Sequence, residues 1–558
     1  MSFFEDVISY IQEHKPSKDE LAKHKIVLAR KHKLDHIPTD IEILLNTPTA
    51  TLPGIKGLLQ SKPMRSASGV SVIAIMTEPA RCPHGKCAMC PGGIGSEYGD
   101  VPQSYTGHEP ATMRGKRNDY DPYLQVMNRL EQYIALGHNP EKAEVIIMGG
   151  TFPATAMSYQ DSFVLFMYKA LNDFSRLFYT DGSFALERFK EFFLLPGSVN
   201  DKERATTLRA RLLETKNKDT APGREGLLSE QEYNHHRSSI KCVGLTVETK
   251  PDWGREDVGK RLLAYGCTRV ELGVQTVYND ALLRVHRGHG SSDNIASIRE
   301  LRDLGFKLNF HLMPGLPGVD READIAGLKQ IFSDPDYRPD MIKIYPCMVM
   351  PGTPLWDEWK AGKYTPLSTA EAADIIAEAK HACPPWCRIM RVQRDIPTKM
   401  SDGGVDRNNL RQMVGDVMKK KGYTCHCIRC REIGRAEPGK TRIETITYEA
   451  SGGTEHFIQM LSEEGLVGFC RLRFSSAHDD SGMVRELHIY SQALGIGGIP
   501  TAGESQHRGH GSALLLEAER LSLDAGKKRM LVISGVGARG YYEKRGYTLI
   551  DHYMEKAL

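Results

Sequence analysis

Three cysteines in one short loop could perform the most distinctive chemistry in this sequence. Cys82, Cys87 and Cys90 lie in the segment CPHGKCAMC, directly after the β-rich run VSVIAIMT. Three thiolates this close together can hold a 4Fe-4S cluster and leave one iron open to a substrate. The alternative from spacing alone is a structural zinc loop with a distant fourth ligand. The loop therefore predicts a metal centre, and we favour an iron–sulfur cluster.

A second cysteine group has the Cys-x-Cys-x-x-Cys spacing of a metal loop. Cys425, Cys427 and Cys430 lie in CHCIRC, and clustered thiols in a reducing compartment are more often metal ligands than disulfide partners. Tetrahedral zinc needs a fourth ligand, and His426 is sterically awkward between two ligands. The other candidates for that ligand, each more often a buried free thiol, are Cys347, Cys383 and Cys387.

Glycines and polar residues end the β-rich runs that follow the first loop. Gly149 and Gly150 close AEVIIMGG, where the missing side chains let the backbone approach a cofactor. Glu248 in VETKPD and Gln275 in ELGVQT end two further runs. Both could hydrogen-bond a ribose or an amino group, and a polar network at a barrel rim is the alternative.

A glycine-rich turn near the C-terminus predicts an anion site. The segment QHRGHG lies between a β-rich run and a helical one, and it contains Gly509, His510 and Gly511. Backbone amides at a helix N-terminus attract phosphate, most of all where glycines leave them uncovered. Tyr541 and Tyr542 follow in YYEKRGY and belong either to that site or to the core.

The elements that must position these residues form an α/β fold. From about 70 to 400, short β-rich runs alternate with helical stretches, which indicates βαβ units and a parallel sheet. Six such units fit a partial barrel better than a closed one, and the active site of a barrel lies at the strand C-termini. After residue 438, antiparallel strands, the glycine turn and a helix predict a second compact α/β domain.

Four segments follow from this division. We expect a basic helical N-terminal extension that binds nucleic acid (1–65), a partial barrel (66–400) with a polar surface insertion (196–240), a basic metal-binding linker (401–438) and the C-terminal domain (439–558). Residues 15–33 hold seven Lys and Arg against two acids. This pattern suits a nucleic-acid footprint or a solvated amphipathic helix equally.

Composition sets outer limits on function. The chain has 558 residues, a formal net charge of +3 and 26% charged residues, so it is not uniformly basic. No apolar run approaches the ~18 residues of a membrane span. The N-terminus has early acids and lacks the apolar stretch of a signal peptide. We therefore expect a cytoplasmic protein with no membrane partner.

These motifs resemble those of two superfamilies. The first cysteine loop resembles that of the radical S-adenosylmethionine (SAM) superfamily, although that loop usually has three residues and then two between its cysteines, and here it has four and then two. The C-terminal turn resembles the pyrophosphate loop of the GCN5-related N-acetyltransferases.

Both modules in one chain resemble the family of Elongator catalytic subunits. Ten motifs keep their order from about residue 60 to the C-terminus, among them CPHGKCAMCPGG, VIIMGGTFPA, CIRCREIG, RELHIY and QHRGHG. The resemblance implies a tRNA-modifying acyltransferase that forms 5-carboxymethyluridine at the wobble uridine. A radical generated from SAM would activate the acetyl methyl group of acetyl-CoA. The implied partners are tRNA and acetyl-CoA, with or without other Elongator-like subunits.

The resemblance also implies residue roles. A 4Fe-4S cluster would bind Cys82, Cys87 and Cys90, zinc would bind Cys425, Cys427 and Cys430, and SAM would lie near Gly149 and Gly150. The residues implied for acetyl-CoA are Lys142, Glu486, Leu487, His488, Ile489, Gly509, His510, Gly511 and Tyr542. The candidates for moving protons or water are His488, Tyr541 and Tyr542.

Two other functions remain open. One is a protein lysine acetyltransferase whose radical module binds RNA without turnover. The other is a non-catalytic tRNA-binding scaffold. Intact cysteine and glycine motifs argue against both, because a scaffold needs no open-iron triad.

Overall fold

The N-terminal segment forms a helical bundle with its own core. The computed structural model describes residues 2–48, 50–61, 69–197, 201–218, 221–434, 436–490 and 509–558. Capping boxes at Ser2, Ser17 and Thr39 start the first three helices. Their apolar faces pack together around Val7 and Ile43. The helices of this bundle are α1 (Phe3–His14), α2 (Lys18–Lys31), α3 (Asp40–Asn46) and α4 (Leu52–Leu59).

Seven parallel strands of the described chain form an open half-barrel. The strands are β1 (Ser71–Met76), β4 (Lys142–Met148), β7 (Lys241–Thr249), β8 (Cys267–Gln275), β9 (Lys307–Leu312), β10 (Met341–Ile344) and β11 (Arg388–Arg391). They are hydrogen-bonded in the order β1-β4-β7-β8-β9-β10-β11, and β1 does not pair with β11. The predicted partial barrel is confirmed. Six units were expected, and the seventh strand, RIMR, was missed because it is short and rich in arginine.

Helices cover the outer face of this sheet. The apolar side chains that alternate along the strands, such as Ile73, Val145, Val247 and Leu308, pack against these helices in one large core. The helices of this part are α5 (Pro110–Arg117), α6 (Pro122–Ala135), α7 (Met157–Phe178), α8 (Leu186–Phe192), α9 (Lys202–Asn217), α10 (Gly223–His236), α11 (Glu256–Ala264), α12 (Asn279–Arg284), α13 (Ser291–Asp303), α14 (Arg321–Ser333), α15 (Pro354–Lys360) and α16 (Thr369–Ala382). Two hairpins complete it, β2 (Gly93–Ser96) with β3 (Gly99–Val101) and β5 (Tyr179–Thr180) with β6 (Ser183–Phe184).

The segment expected as a surface insertion contains α9 and α10. Helix α10 packs against α7 through polar contacts: Asn172 Nδ2 donates to the Glu230 carbonyl at 2.8 Å, and Asn234 Nδ2 donates to Asn172 Oδ1 at 2.9 Å. Both asparagines are fully buried. These buried polar side chains replace an apolar stripe, which is why the sequence shows no apolar period here.

A second sheet forms the C-terminal domain. Its strands are β12 (Arg442–Ala450), β13 (Gly453–Ser462), β14 (Gly465–Ser475), β15 (Ser481–Ile489), β16 (Arg529–Ile533), β17 (Thr548–Ile550) and β18 (Tyr553–Ala557). The order is β12-β13-β14-β15-β16-β18-β17, and β15 with β16 is the parallel pair. The helices are α19 (His510–Asp524) and α20 (Arg539–Glu543), and the preceding linker contains α17 (Leu410–Lys421) and α18 (Ile428–Arg431). The start of the glycine turn, 506–508, lies outside the described residues.

The C-terminal domain packs against the N-terminal ends of the half-barrel strands. A Cβ added at Gly535 would lie 2.2 Å from the Val243 carbonyl oxygen, so only glycine permits this contact. Ion pairs join the same surfaces, among them the buried pair of Arg485 with Asp340 at 2.6 Å and the partly buried pair of Arg473 with Asp303 at 2.6 Å. None of the helices in the described ranges is long and apolar enough to cross a bilayer.

Candidate functional site

The first cysteine loop lies at the C-terminal ends of the parallel strands. It leaves β1 at Met76, and its turns are closed by backbone bonds from Gly85 to the Cys82 carbonyl and from Cys90 to the Cys87 carbonyl, both 3.0 Å. Cys87 and Cys90 are buried, and Cys82 is partly exposed. The backbone amide of Ser104 donates to Cys90 Sγ at 3.1 Å. The loop therefore turns three thiols toward one protected space at the catalytic end of the barrel.

The spacing of these thiols favours a cluster over a single zinc ion. Sulfurs bound to one tetrahedral zinc lie roughly 3.8 Å apart, given Zn–S bonds of about 2.3 Å. Within the described ranges, the sulfurs of Cys82, Cys87 and Cys90 do not all come within 4.8 Å of one another. Three ligands to separate irons must be further apart than ligands to one ion.

Cations surround the same loop. Arg287 donates to Cys87 Sγ at 3.6 Å, and His84 Nε2 lies 3.2 Å from that sulfur. Burial, together with the charges of Lys250 and Arg287, lowers the pKa of His84 to about 4. Positive charge of this kind stabilises thiolates. The sequence analysis assigned no role to Arg287 or Lys250, which lie on other elements.

The glycine-rich strand end meets the cysteine loop. Gly149 has a φ of +128°, and a Cβ there would lie 2.1 Å from Thr77 Oγ1. A Cβ at Gly150 would lie 3.9 Å from Cys82 Sγ, and Thr151 Oγ1 lies 3.6 Å from that sulfur. The two glycines thus bring backbone to the metal loop, as their predicted role requires.

Polar residues at the other strand ends form a connected group. Glu248 accepts a hydrogen bond from the Tyr105 hydroxyl at 2.8 Å. Gln275 has a φ of +68°, so β8 ends in a left-handed turn there. Glu248 also lies within 4.8 Å of carboxylate and imidazole atoms of Glu271 and His311, which the sequence analysis did not single out.

The C-terminal domain opens a cleft along β15. Pairing of β15 with β16 ends at Val484 with Val532, but pairing with β14 continues to Ile489. Residues 485–489 therefore pair with one neighbouring strand and leave the other edge for a ligand. The predicted residues Glu486, Leu487, His488 and Ile489 occupy this stretch.

The glycine turn lies at the same place. A Cβ at Gly511 would lie 2.7 Å from the Tyr541 hydroxyl and 3.7 Å from Ile489 Cγ1. Gly509 has a φ of +78°, and a Cβ there would meet open space. His510 is the first residue of α19. The described half of the turn thus gives a bare helix N-terminus beside the open strand.

His488 carries an unsatisfied nitrogen in this cleft. Its Nε2 is buried and has no hydrogen-bond partner among the residues described. Burial lowers the pKa of His488, with Glu486 opposing, so the ring is neutral at physiological pH. Arg471 Nε donates a hydrogen bond to Glu486 Oε2 at 2.9 Å, so the Glu486 carboxylate already has a partner. Any contact of Glu486 with a ligand would therefore use its backbone.

Tyr542 and Lys142, the remaining predicted residues, lie in different parts of the structure. Tyr542 is buried in the domain core, and its ring packs edge-on against Tyr541 and Tyr547. Lys142 begins β4 at the N-terminal end of the half-barrel, which is the end that the C-terminal domain covers. Lys142 therefore lies on the side of the barrel opposite the cysteine loop.

The second cysteine group is compact. The sulfurs of Cys425, Cys427 and Cys430 lie within 4.8 Å of one another, as single-ion ligands should. Cys383 lies beside them, and burial with the neighbouring Cys387 and Cys427 sulfurs raises its pKa well above the usual value. Cys347, another candidate for the fourth zinc ligand, lies away from this group and packs in the apolar cluster that contains Cys87 and Cys90.

Many of the linker arginines serve the fold. Arg388 pairs with Glu432 at 2.7 Å. Lys421 pairs with Asp374 and Glu378 on α16, whereas Lys419 and Lys420 are exposed and have no ion-pair partner in the described part of the chain. The arginines whose donors reach backbone carbonyls are Arg394, Arg411, Arg429 and Arg431.

Comparisons with known proteins match every part of this architecture. Family models match as the ELP3 N-terminal domain (3–67), the radical SAM superfamily (79–327), the radical SAM C-terminal domain (339–420) and the acetyltransferase (GNAT) family (428–547). A tRNA uridine(34) acetyltransferase of Methanocaldococcus infernus is 40% identical over 93% of this chain and 92% of its own length. The chain belongs to the Elp3 family. The human Elongator complex protein 3, another Elp3 member, is 35% identical over 99% of this chain and 96% of its own.

A solved structure agrees with the Elp3 fold. The archaeal Methanocaldococcus infernus Elp3 with an N-terminal deletion (1–46) has a TM-score of 0.69 and 35% identity, covering 88% of this chain and all of that one. The expected family is confirmed, and so are the radical SAM and acetyltransferase modules. The radical SAM module implies a 4Fe-4S cluster and SAM, and the acetyltransferase module implies acetyl-CoA.

Proposed function

We propose that this protein modifies the wobble uridine of tRNA, forming 5-carboxymethyluridine from acetyl-CoA with the help of SAM. The observation that carries the proposal is the pair of cofactor sites at the two ends of one half-barrel, in a chain 40% identical to a tRNA uridine(34) acetyltransferase. One site is the cysteine loop at the strand C-termini, and the other is the cleft along β15 at the N-termini.

The cysteine loop fits a 4Fe-4S cluster. Cys82, Cys87 and Cys90 supply three widely spaced thiols, and Gly149 and Gly150 leave room beside them for the amino and carboxylate groups of SAM. When bound, the cluster and SAM would supply the carbon radical that activates an acetyl methyl group. The chain's own part is to exclude water by burying the loop and to stabilise thiolate charge with Arg287.

The cleft along β15 fits acetyl-CoA. Gly509 and Gly511 expose amides at the start of α19 for the pyrophosphate. The free edge of residues 485–489 would hydrogen-bond the pantetheine amides. His488, neutral and with an unpaired Nε2, is placed to accept a proton from the water that hydrolyses the thioester. Tyr541, beside Gly511, is the tyrosine nearest that end of the cleft.

A structural zinc ion fits the linker. Cys425, Cys427 and Cys430 are close enough to bind one ion, and Cys383 or Cys387 would complete the tetrahedron. The proposal takes Cys383 or Cys387, the two buried thiols next to the loop, as the fourth ligand. Lys380 Nζ, 3.6 Å from Cys430 Sγ, would offset the thiolate charge.

Exposed cations supply a tRNA surface. Lys419 and Lys420 on α17 and Lys23, Arg30 and Lys33 on the N-terminal bundle are exposed. Phosphate contacts of this type carry affinity without reading sequence. A target base in an anticodon loop can be unstacked and inserted into a buried site.

The proposal is tested by omitting one component at a time. The purified protein is incubated with tRNA, acetyl-CoA, SAM and a reductant, and the nucleosides are separated by liquid chromatography and mass spectrometry. We expect 5-carboxymethyluridine only in the complete mixture. Acetylated lysines on a protein substrate, with no modified nucleoside and no use of SAM, would instead identify a protein acetyltransferase.

A further inference from the structure

The inner face of the half-barrel is charged. Along β7 to β10, the residues that alternate with the helix-packing ones include Glu248, Glu271, His311 and Lys343, and contacts join them across the strands. Barrel interiors are usually filled by branched apolar side chains, and burying a charge is costly without a partner. A charged group kept at this depth is a candidate for function.

Glu271 holds His311 in one tautomer. His311 Nε2 lies 2.8 Å from Glu271 Oε2, and Asn309 Nδ2 donates to Glu271 Oε1 at 3.2 Å. Burial alone would raise the pKa of Glu271, but Lys343 and His311 hold it well below the usual value. The carboxylate is thus an acceptor only, so the proton of the neutral His311 imidazole lies on Nε2 in this hydrogen bond, and in that form Nδ1 is the acceptor.

His311 lies next to the C-terminal end of β9, at the end of the barrel that carries the cysteine loop. The His311 side chain is 17% exposed, whereas Glu271 behind it is fully buried. His311 Nδ1 has no hydrogen-bond partner within the described ranges. A carboxylate oxygen of Glu248 lies within 4.8 Å of this pair and accepts a hydrogen bond from the Tyr105 hydroxyl. Tyr105 follows Ser104, whose backbone amide donates to Cys90 Sγ.

The reaction needs a base in this position, an argument that rests on the proposed function. Joining the acetyl methyl carbon to C5 of uracil forms one carbon–carbon bond and breaks one C–H bond on each carbon. SAM, on cleavage to methionine and 5′-deoxyadenosine, takes up one hydrogen atom, from the methyl group, and one electron. The hydrogen on C5 therefore leaves as a proton, and its electron balances the one taken up by SAM.

We propose that His311 Nδ1 is the base that accepts the proton from C5 of the wobble uracil, and that Glu271 is a positioning residue that fixes the imidazole. Lys343 neutralises the carboxylate, so the proton stays on the imidazole and passes to solvent at the exposed mouth of the barrel. The rival base is Glu248, whose carboxylate is engaged by Tyr105.

The test uses tRNA with protium or deuterium at C5 of the wobble uridine. His311→Gln should still form 5′-deoxyadenosine, but product formed per 5′-deoxyadenosine should fall by about 10²-fold, the usual contribution of a general base. Loss of the C5 hydrogen should then limit the rate, so the deuterium isotope effect on product formation should exceed that of the wild type. Glu271→Gln should raise the isotope effect too, with the iron–sulfur absorbance unchanged. Imidazole should restore product formation in His311→Ala.

Matched variants separate the outcomes. Tyr345→Phe keeps the base but changes a ring 5.6 Å from that of His311, and it should behave as the wild type. An unchanged product ratio and isotope effect in His311→Gln, or a raised isotope effect in Glu248→Gln alone, would overturn the assignment. A wild-type enzyme that forms no carboxymethyluridine would instead refute the proposed function, whatever the variants do.

Discussion

Replacing Arg485 should loosen the contact between the two modules. Its guanidinium makes two bonds to Asp340, at 2.6 and 2.8 Å, two to Glu455, at 2.9 and 3.2 Å, and one to the Phe306 carbonyl at 2.8 Å. All three charged side chains are essentially buried. Arg485→Met keeps the volume but leaves two buried carboxylates short of a cation.

The loss of unfolding free energy depends on the cations that still face Asp340 and Glu455 in the variant. Removing one partner of a buried ion pair costs about 3–5 kcal/mol. Arg471 still lies 3.4 Å from Asp340, and Arg473 still lies 3.2 Å from Glu455. We therefore expect the low end, about 3 kcal/mol of unfolding free energy. Adding Glu455→Gln to Arg485→Met should recover part of this loss, since it removes one uncompensated charge.

Urea unfolding measures this prediction. The midpoint should fall in Arg485→Met, and Trp386, which stacks on Tyr448 of β12 at 4.1 Å, reports separation of the modules by its fluorescence. Arg520→Met is the control, because Arg520 pairs with Glu517 on the exposed face of α19, and such pairs contribute little. A midpoint for Arg485→Met equal to that of the control would refute the reasoning.

Four further changes test the sites. Cys87→Ala should abolish the iron–sulfur absorbance and the formation of 5′-deoxyadenosine; continued formation would contradict the cluster assignment. Gly511→Val should weaken acetyl-CoA binding in calorimetry, because a Cβ there would lie 2.7 Å from a tyrosine hydroxyl, and equal affinity would place the ligand elsewhere. Charge reversal of Lys419 and Lys420 should reduce the log–log salt slope of tRNA binding by roughly 0.7–0.9 per lost phosphate contact, and an unaltered slope would mean that they are merely solvated. Burial raises the pKa of Asp324 to about 7, so the contribution of this carboxyl to stability should fall as pH rises from about 4 to 7, where the unfolded carboxyl alone ionises; the difference in thermal stability between the wild type and Asp324→Asn should change with pH over this range, and a constant difference would contradict the shift.

Local motifs made the sites predictable from sequence. The two cysteine loops, the glycine pair at 149–150, and Gly509 with Gly511 each lie within a few residues, so the sequence alone indicates their chemistry. The parallel sheet was predictable because its strands are apolar runs separated by helices. Strand β12 was missed because most of its residues are exposed, which removes the apolar signal.

Long-range charge pairing was not predictable. Glu271, His311 and Lys343 come from three different strands, so only the register of the sheet brings them together. Lys421 looked like its two lysine neighbours in sequence, yet acids from α16 neutralise it. The domain boundaries and the site roles stay predictions.

The central claim is that acetyl carbon from CoA reaches the wobble base. The most direct measurement supplies acetyl-CoA labelled with ¹³C in both acetyl carbons, together with tRNA, SAM and reductant, and then identifies the labelled nucleoside and its position by mass spectrometry of ribonuclease fragments. We expect a wobble uridine that gains a carboxymethyl group with both labelled carbons. Label found only in free acetate or on protein lysines, with position 34 unmodified, would contradict it.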